Sequence, residues 1–450
     1  MAGGRRAGLD DPVARAATEV IGGPRGRHAA RELSWLLTAA TLSALAAIPA
    51  GFGIALRIPC LRTSWKGDGQ FWNACYSDLP NAYRDGNLGA GLAAFLQGSD
   101  GSPTTGQPPL TGLALMAVGS LVPSADREST RVAWYFALWA VLLTLLLLAV
   151  VWMVASTAHR PWAAAHVALA PVVALVGFVS ADLLGVALAG AGMWAWARRR
   201  PGAAGVLLGL AIAARSYPVL ILVAIGLLAL RSGRLRAFAR TAAHAVATFL
   251  AVLGGLWLLN PDAAASSYRT WFAAAAGYGS PWLLPQLAGH PLPAWGLTAL
   301  AAGGWVLAVV AGAVLALASA RRPTLAEVSL VMVGIALVTG KSFTVQSSLW
   351  LVPLVAWCVV QWRDHLLWAG AEALHFVAVW LTIAATKVPD RGMPNSWYAF
   401  FSMFRVIAVL WLVTMVWLRA RERWGRSEGE ADDLAGPMQD AEDRLIVKFS

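Results

Sequence analysis

Long hydrophobic runs separated by short polar connectors extend along the chain from residue 33 to residue 418. Many of them approach the ~20 apolar residues that an α-helix needs to cross a bilayer. The pattern predicts about twelve transmembrane helices, at residues 33–56, 131–155, 161–179, 182–197, 202–214, 216–230, 237–259, 293–319, 325–339, 346–361, 365–386 and 397–418. We therefore expect an all-α polytopic membrane protein whose membrane domain occupies residues 33–418.

The composition supports a membrane protein over a water-soluble one. Hydrophobic residues make up 58% of the chain, the mean hydropathy is +0.60, and charged residues make up only 13%, about half the proportion found in soluble proteins. The formal net charge of +11 does not indicate a nucleic-acid partner, because the basic residues are scattered at helix ends rather than collected on one soluble face. We expect membrane lipids, and no nucleic acid, among the partners.

The connectors that carry most of the Lys and Arg residues all fall on one side of the membrane in this topology. They are the leader at residues 1–32, the connectors at 198–200, 231–240 and 321–322, and the segment 419–426. The positive-inside rule places this side in the cytoplasm of a plasma-membrane protein, with both termini inside. The end of the chain, residues 419–450, is polar and acidic, and we expect it to be a disordered cytoplasmic tail.

The first loop, residues 57–130, is long and falls on the outer side. This assignment requires the apolar stretch 110–122 to stay out of the membrane core, since one more span would turn every later basic connector outward. The stretch is short and begins just after Pro108 and Pro109, which suits a helix at the outer interface. Loops of this length are usually functional or disordered, and the aromatic residues and cysteines of this loop argue against disorder. We therefore expect the extracytoplasmic loop to carry the chemistry.

Two of the three cysteines, Cys60 and Cys75, lie in this outer loop, whereas Cys358 lies alone in a predicted helix. An outer loop faces an oxidising compartment, and such a compartment favours disulfides. We predict a Cys60–Cys75 bridge. A single pair is weaker evidence than a full cysteine framework, so two free thiols remain the alternative.

Ionisable residues also stand at the outer ends of several predicted helices: Asp182, Arg215, Arg269 and Lys341, with Gln346 close by. A charge within a span costs at least ~2.5 kcal/mol, so such groups need partners or a wet cavity. Convergence on one outward-facing cavity would make them a binding site. Snorkelling of the long side chains to the interface is the alternative, above all for Lys341 and Arg269.

The chain carries no sequence motif for metal, nucleotide or serine-hydrolase chemistry. His290, His365 and His375 are scattered without metal-ligand spacing, and HExxH, paired CxxC, Walker and GxSxG sequences are all absent. We therefore expect the protein to use neither a metal nor a cofactor.

Several distinctive segments lie between residues 58 and 411 and read CYSDLPNAYRDGNL, QPPLTGL, SADLLGVALAGAGMWAWARRRPGAAGVLLGLAIAARSYPVLIL and LWLVPL. They resemble segments of actinobacterial members of glycosyltransferase family 87, a branch of the C-type superfamily of membrane glycosyltransferases. The resemblance implies a C-type helical bundle, a polyprenyl-phosphate monosaccharide as donor, often mannose, and a glycolipid or envelope glycan as acceptor. It also implies that an aspartate of the first outer loop acts as the base. The matching position is Asp78, which is followed by Tyr83 and Arg84.

The residues themselves also favour Asp78 over the other two aspartates in this part of the loop. Asp68 lies between glycines and Asp85 precedes Gly86, and both settings are typical of turns. Asp78 instead follows the aromatic Tyr76 and precedes a Leu-Pro pair, and both would order the chain around it. A general base has to be held within hydrogen-bond reach of the proton that it removes.

The chemistry of the implied donor is consistent with this inventory. A polyprenyl phosphate is a good leaving group that needs charge stabilisation more than protonation, so one carboxylate base and nearby basic groups would suffice without a metal. We therefore predict an inverting membrane glycosyltransferase with Asp78 as its base. The candidate donor-binding residues are Tyr83, Arg84, Asp182, Arg215, Tyr217, Lys341 and Gln346.

The resemblance is incomplete at three places. Ser180 and Ala181 stand where members often have Asn and Trp. Arg215 stands where Lys is common, and Gln346 lies in a stretch where the polyprenol-dependent mannosyltransferases carry histidine. These departures leave another donor sugar and an inactive membrane scaffold as alternatives. A transporter or flippase for a lipid-linked or small polar solute is the rival class, but transport needs polar groups near mid-membrane rather than at outer helix ends.

Overall fold

The hydrophobic runs fold into α-helices, with no strand anywhere in the described residues. The computed structural model describes residues 11–13, 16, 34–98, 104–388, 391–421 and 432–447. The helices of eight or more residues are numbered in chain order: α1 Trp35–Ala55, α2 Asp78–Asp85, α3 Pro109–Ser120, α4 Glu128–Thr157, α5 Asp182–Ala197, α6 Pro201–Ala214, α7 Pro218–Arg231, α8 Leu235–Leu259, α9 Pro261–Ala273, α10 Ala294–Ala318, α11 Leu325–Val338, α12 Trp362–Lys387 and α13 Asn395–Arg421. Shorter α-helical segments occupy Ile58–Arg62, Gly69–Trp72, Gly91–Gln97, Ala165–Ala168, Pro171–Val176, Leu283–Leu287 and Val352–Trp357. Turns of 3₁₀ helix occupy Leu88–Ala90, Pro161–Ala164, Val345–Trp350 and Gly436–Met438.

Among the described residues, 6 helices are long and apolar enough to cross a membrane, namely α1, α4, α8, α10, α12 and α13. They confirm the prediction of a polytopic, all-helical membrane protein. The other predicted spans correspond to apolar helical segments of 10–17 residues: Pro161–Val176, α5, α6, α7, α11 and Val345–Trp357. A 14-residue helix is about 21 Å long, shorter than the ~30 Å hydrocarbon core. These shorter segments can form part of a membrane domain only where protein surrounds them. The number of twelve spans therefore stays a prediction.

Two glycines, Gly205 and Gly209, allow α6 to pack closely against α8. A Cβ at Gly205 would lie 2.3 Å from the carbonyl oxygen of Thr241, and one at Gly209 would lie 2.5 Å from that of Ala245. Small residues four positions apart permit this close backbone approach between membrane helices. With this register, α8 continues past the end of α6 by roughly nine residues, or about 14 Å. Measured along the axis of α8, the residues that directly follow α6 therefore lie about 14 Å short of the C-terminal end of α8.

The first loop is ordered by its disulfide and by a buried tryptophan. Cys60 and Cys75 are disulfide-bonded, with their Cα atoms 5.7 Å apart. Trp65, between them, is 0% exposed and donates its indole N–H to the carbonyl oxygen of Cys75 at 3.1 Å. Its ring packs against Phe136 of α4, with the centroids 5.0 Å apart. The loop is therefore anchored on a long apolar helix just ahead of Asp78.

The C-terminal tail differs from the predicted disorder over residues 432–447. Leu434 and Met438 are buried, and Arg322 donates to the carbonyl oxygens of Met438 (3.1 Å) and Ala441 (2.7 Å). The prediction rests on an acidic and polar composition, and composition takes no account of partners that the folded bundle supplies. The rest of the predicted tail after α13 lies outside the described residues.

Acidic residues of the tail pair with three of the basic connectors. Asp440 accepts from Arg199 at 2.5 Å, and Asp443 accepts from Arg231 at 2.7 Å. A second oxygen of Asp443 lies 3.4 Å from Nε of Arg322. These connectors therefore lie together at one end of the bundle, as the positive-inside rule requires. The side of the membrane that this end faces stays a prediction, and the arginines of the leader lie outside the described residues.

Candidate active site

Asp78 is the first residue of α2, and a serine at the N-cap determines where that helix begins. The hydroxyl of Ser77 donates to the carbonyl oxygens of Phe178 (3.0 Å) and Val179 (3.1 Å). The backbone N–H of Asp78 also donates to the carbonyl oxygen of Val179, at 2.7 Å. The start of α2 is thereby joined to the backbone that leads into Asp182, the first residue of α5.

The carboxyl group of Asp78 is half-buried and has two polar neighbours. Gln346 donates its side-chain amide to Oδ2 at 3.2 Å, and Tyr76 forms a hydrogen bond with the same carboxyl group. Burial raises the pKa of Asp78 to about 6, and the nearby charge of Asp182 adds to this effect. The hydrogen bond from Tyr76 and the charge of Arg215 act in the opposite direction. The carboxylate is therefore ionised at neutral pH and can accept a proton readily, as a general base must.

Asp182 and Arg215 form a buried bidentate ion pair beside Asp78. Nε of Arg215 lies 2.8 Å from one carboxylate oxygen of Asp182, and Nη2 lies 3.0 Å from the other. The hydroxyl of Ser180 donates to the same carboxylate at 2.6 Å, and the indole N–H of Trp350 donates to it at 2.9 Å. Two parallel N–H···O bonds from an arginine fix the geometry of the pair as well as its charge.

The segment before α3 and its first turn supply further partners for Arg215. Its Nη1 donates to the side-chain oxygen of Gln107 at 3.1 Å and to the carbonyl oxygen of Ala214 at 3.0 Å. The hydroxyl of Thr111 lies 3.4 Å from the same Nη1 and donates to the same carbonyl oxygen at 2.9 Å. The apolar helix α3, which the sequence predicts to stay out of the membrane core, therefore contributes directly to the cluster.

One 3₁₀ turn carries both Gln346 and Trp350, so a single short segment contacts both carboxylates. Gln346 reaches Asp78, and Trp350, one turn later, reaches Asp182. The ring of Trp350 also stacks on Tyr217, with centroids 4.6 Å apart and planes inclined by 14°. Segments far apart in the chain thus meet in one polar cluster at the end of apolar helices.

This cluster can be compared with known proteins. The family model of glycosyltransferase family 87 matches residues 108–340, a range that makes up just over half of the chain. The chain belongs to glycosyltransferase family 87. It is therefore a membrane glycosyltransferase. The matched range contains Thr111, Asp182 and Arg215, whereas Asp78 lies ahead of it. No curated protein and no solved structure matches the chain significantly.

In this glycosyltransferase, Tyr83 and Arg84 hold α2 in place. Tyr83 is buried and packs on Tyr135 of α4, with ring centroids 4.6 Å apart. Arg84 donates to the carboxylate of Asp85 and to the side-chain oxygen of Asn81, each at 2.9 Å. The contacts that the structure describes for these two residues order α2 rather than extend the cluster around its first residue.

Lys341 and Arg269, the other two predicted cations, lie in a different group of contacts. The ammonium of Lys341 donates to the carbonyl oxygens of Trp271 (3.0 Å) and Phe272 (3.1 Å) near the end of α9 and lies over the ring of Trp271. Arg269 pairs with the exposed Asp262 at 2.7 Å. A cation at a helix C-terminus is stabilised by the helix dipole, which accounts for the position of Lys341.

Four members of the cluster were not singled out from the sequence as binding residues: Gln107, Thr111, Ser180 and Trp350. Each of them lies in a segment that carries the resemblance to family 87, namely QPPLTGL, SADLL or LWLVPL. For Gln107, Thr111 and Trp350 that resemblance was the signal available in the sequence, since uncharged polar residues beside apolar helices are ordinary in composition. Ser180 departs from the family pattern, so the resemblance does not mark it. The described residues contain no group of three or more His, Cys, Asp or Glu side chains that could hold a metal ion.

Proposed function

We propose that this glycosyltransferase moves a sugar from a polyprenyl-phosphate donor to an acceptor hydroxyl by direct displacement, with inversion at the anomeric carbon. The observation that carries the proposal is the half-buried carboxylate of Asp78, whose pKa burial raises to about 6, beside the guanidinium of Arg215. A base is most effective when its pKa lies near the working pH. Asp78 would take the hydroxyl proton as the acceptor oxygen attacks the sugar.

Asp182 is less suited to this role than Asp78. Both of its oxygens accept from Arg215, and Ser180 and Trp350 add further hydrogen bonds. A carboxylate that is paired with an arginine in this way has little tendency to take up a proton. We assign Asp182 the task of holding Arg215 in position.

Arg215 is the cation of the cluster and would stabilise the charge that develops on the leaving phosphate. A guanidinium has five N–H donors. The described contacts of Arg215 use Nε, both hydrogens of Nη1 and one hydrogen of Nη2. The second Nη2 hydrogen is the one that we assign to the donor phosphate. Gln107 and Thr111 keep the guanidinium in this orientation from the side of α3.

The proposed site faces the outer side of the plasma membrane. Asp182 begins α5 and Arg199 follows its last turn, and a helix of this length separates them by about 24 Å. Arg199 belongs to the basic end of the bundle, which the positive-inside rule assigns to the cytoplasm. The resemblance to family members supports mannose as the sugar and a lipid-linked or envelope glycan as the acceptor.

Purified protein in lipid vesicles tests this proposal directly. We would supply radiolabelled polyprenyl-phosphate mannose, with labelled nucleotide sugar as the matched control donor, together with an envelope lipid extract. A new labelled glycolipid from the polyprenyl-phosphate donor alone is the expected result. Labelling from the nucleotide sugar alone would overturn the assigned donor class, and movement of the intact donor across the vesicle membrane without transfer would support a flippase instead.

A further inference from the structure

Arg405 lies buried in α13 and forms an ion pair that joins α13 to α12. Its side chain is 0% exposed, and its Nε donates to Glu372 of α12 at 2.7 Å. Glu372 also accepts from the indole N–H of Trp368, at 3.0 Å. The desolvation cost of a buried ion pair can exceed the energy gained from the attraction of its charges, so the pair by itself does not explain why an arginine is buried here.

The remaining donors of Arg405 go to the segment that begins the 3₁₀ turn Val345–Trp350. Nη1 donates to the carbonyl oxygen of Phe343, and Nη2 donates to the carbonyl oxygen of Thr344 (2.9 Å) and to the hydroxyl of Ser348 (2.8 Å). The guanidinium also lies over the ring of Phe343, 3.4 Å from its centroid. One side chain therefore contacts three residues of this segment.

This segment needs such support because a 3₁₀ turn is weak on its own. Its hydrogen bonds have poor geometry, and runs longer than three or four residues are uncommon. The buried carbonyl group of Phe343 precedes the turn, and Arg405 is the hydrogen-bond partner that the structure describes for it. An unpaired buried carbonyl group is costly in free energy. The carbonyl group of Thr344 accepts from Arg405 and also from the backbone N–H of Ser347, at 3.1 Å. On its other side, the same turn presents Gln346 to Asp78 and Trp350 to the Asp182–Arg215 pair.

We propose that Arg405 is a positioning residue for sugar transfer: it holds residues 343–348 so that Gln346 and Trp350 reach the two carboxylates of the cluster. The inference rests on the proposed function of that cluster. Arg405 acts through the 3₁₀ turn and touches no reacting group. Its planar fork contacts a carboxylate, two carbonyl oxygens and a hydroxyl at once, which the point charge of a lysine cannot do.

The first test replaces Arg405 by lysine in the full-length protein in lipid vesicles. We expect kcat to fall by about tenfold or more, since a small misplacement of catalytic groups is costly, while the KM for the donor changes little. The matched control is Arg231→Lys, because Arg231 is equally buried and binds two carbonyl oxygens and the carboxylate of Asp443 at the opposite end of the bundle. An equal fall in kcat in Arg231→Lys would overturn the proposal, because it would show a general effect of disturbing a buried arginine.

The second test asks whether Arg405 and Gln346 act through the same segment. If they do, Gln346→Ala lowers kcat, and the double variant with Arg405→Lys is no slower than Arg405→Lys alone, whereas independent sites would add their effects. Additive effects, or an unchanged kcat in Gln346→Ala, would refute the inference. If Arg405→Lys does not fold, Ser348→Ala, which removes one contact of the guanidinium, takes its place in the same cycle. The coupling between Arg405 and Gln346 is measured from transfer rates alone. The role of Asp78 as base is tested separately, with Asp78→Asn.

Discussion

The side-chain amide of Gln346 donates to the carboxylate of Asp78 at 3.2 Å, although 268 residues separate the two in the chain. Together with the bond from Trp350 to Asp182, it joins the start of α2 and the start of α5 to the 3₁₀ turn Val345–Trp350. Because the cluster is closed by contacts between distant segments, changes in any of them should alter transfer. The following predictions test its parts separately.

Asp78→Asn should lower the rate of transfer by roughly 10²–10⁴-fold, the usual contribution of a general base, because the amide keeps the shape but cannot accept the proton. Radiolabelled product formation measures the effect, with expression and donor binding unchanged. Asp68→Asn and Asp85→Asn are the matched controls from the same loop and should retain substantial activity. Near-normal transfer by Asp78→Asn would remove this residue from the mechanism.

The pH profile of kcat/KM should fall on the acid side as the pH drops through about 6, because Asp78 must be ionised to act as a base. Tyr76→Phe removes a hydrogen bond that favours the ionised form, so the pKa of Asp78 rises and the acid limb moves to higher pH. Tyr268→Phe, a change on α9, is the control and should leave the limb in place. An acid limb that does not move in Tyr76→Phe would contradict the assigned contact.

Breaking the Asp182–Arg215 pair should lower both stability and transfer. Arg215→Gln leaves a buried carboxylate without its counter-ion, which typically costs ~3–5 kcal/mol of the free energy of unfolding. The double variant Asp182→Asn/Arg215→Gln should regain much of that stability without regaining transfer, since the cation at the leaving group is still missing. Thermal unfolding in detergent checks this, and a double variant less stable than Arg215→Gln would argue against the pairing.

The Cys60–Cys75 bridge closes a loop of 15 residues, for which chain entropy predicts a contribution of roughly 3 kcal/mol to the free energy of unfolding. Reduction of the purified protein should therefore lower its unfolding temperature. Cys358→Ala is the control and should leave the response to reduction unchanged, because Cys358 is not part of the bridge. Non-reduced peptides with both thiols free, in protein taken directly from the membrane, would refute the bridge.

The orientation of the bundle can be tested with single cysteines at exposed positions. A cysteine in place of Arg236, at the basic end, should react with an impermeant reagent only after cell lysis, whereas one in place of Asp126, in the outer loop, should react in intact cells. The expectation follows from the positive-inside rule. The reverse labelling pattern would place the proposed active site in the cytoplasm.

The helical bundle itself follows from the sequence, because a bilayer requires every backbone polar group of a span to be paired within that span. Hydrophobic runs therefore locate helices directly, and all predicted spans correspond to apolar helical segments. The sequence also marks Asp182 and Arg215 as polar residues at helix ends that need partners. Hydropathy does not decide which of the helices cross the whole membrane, since a short buried helix and a full span have similar compositions.

Tertiary structure alone decided which partners these residues take. The bond between Gln346 and Asp78, the contact of Gln107 with Arg215, and the packing of residues 432–447 on the basic connectors all join segments far apart in the chain. Hydropathy and local motifs describe a residue's immediate neighbours. Which helix ends meet depends instead on close packing, such as the approach of α6 to α8 at Gly205 and Gly209, and that packing becomes visible only in the folded bundle.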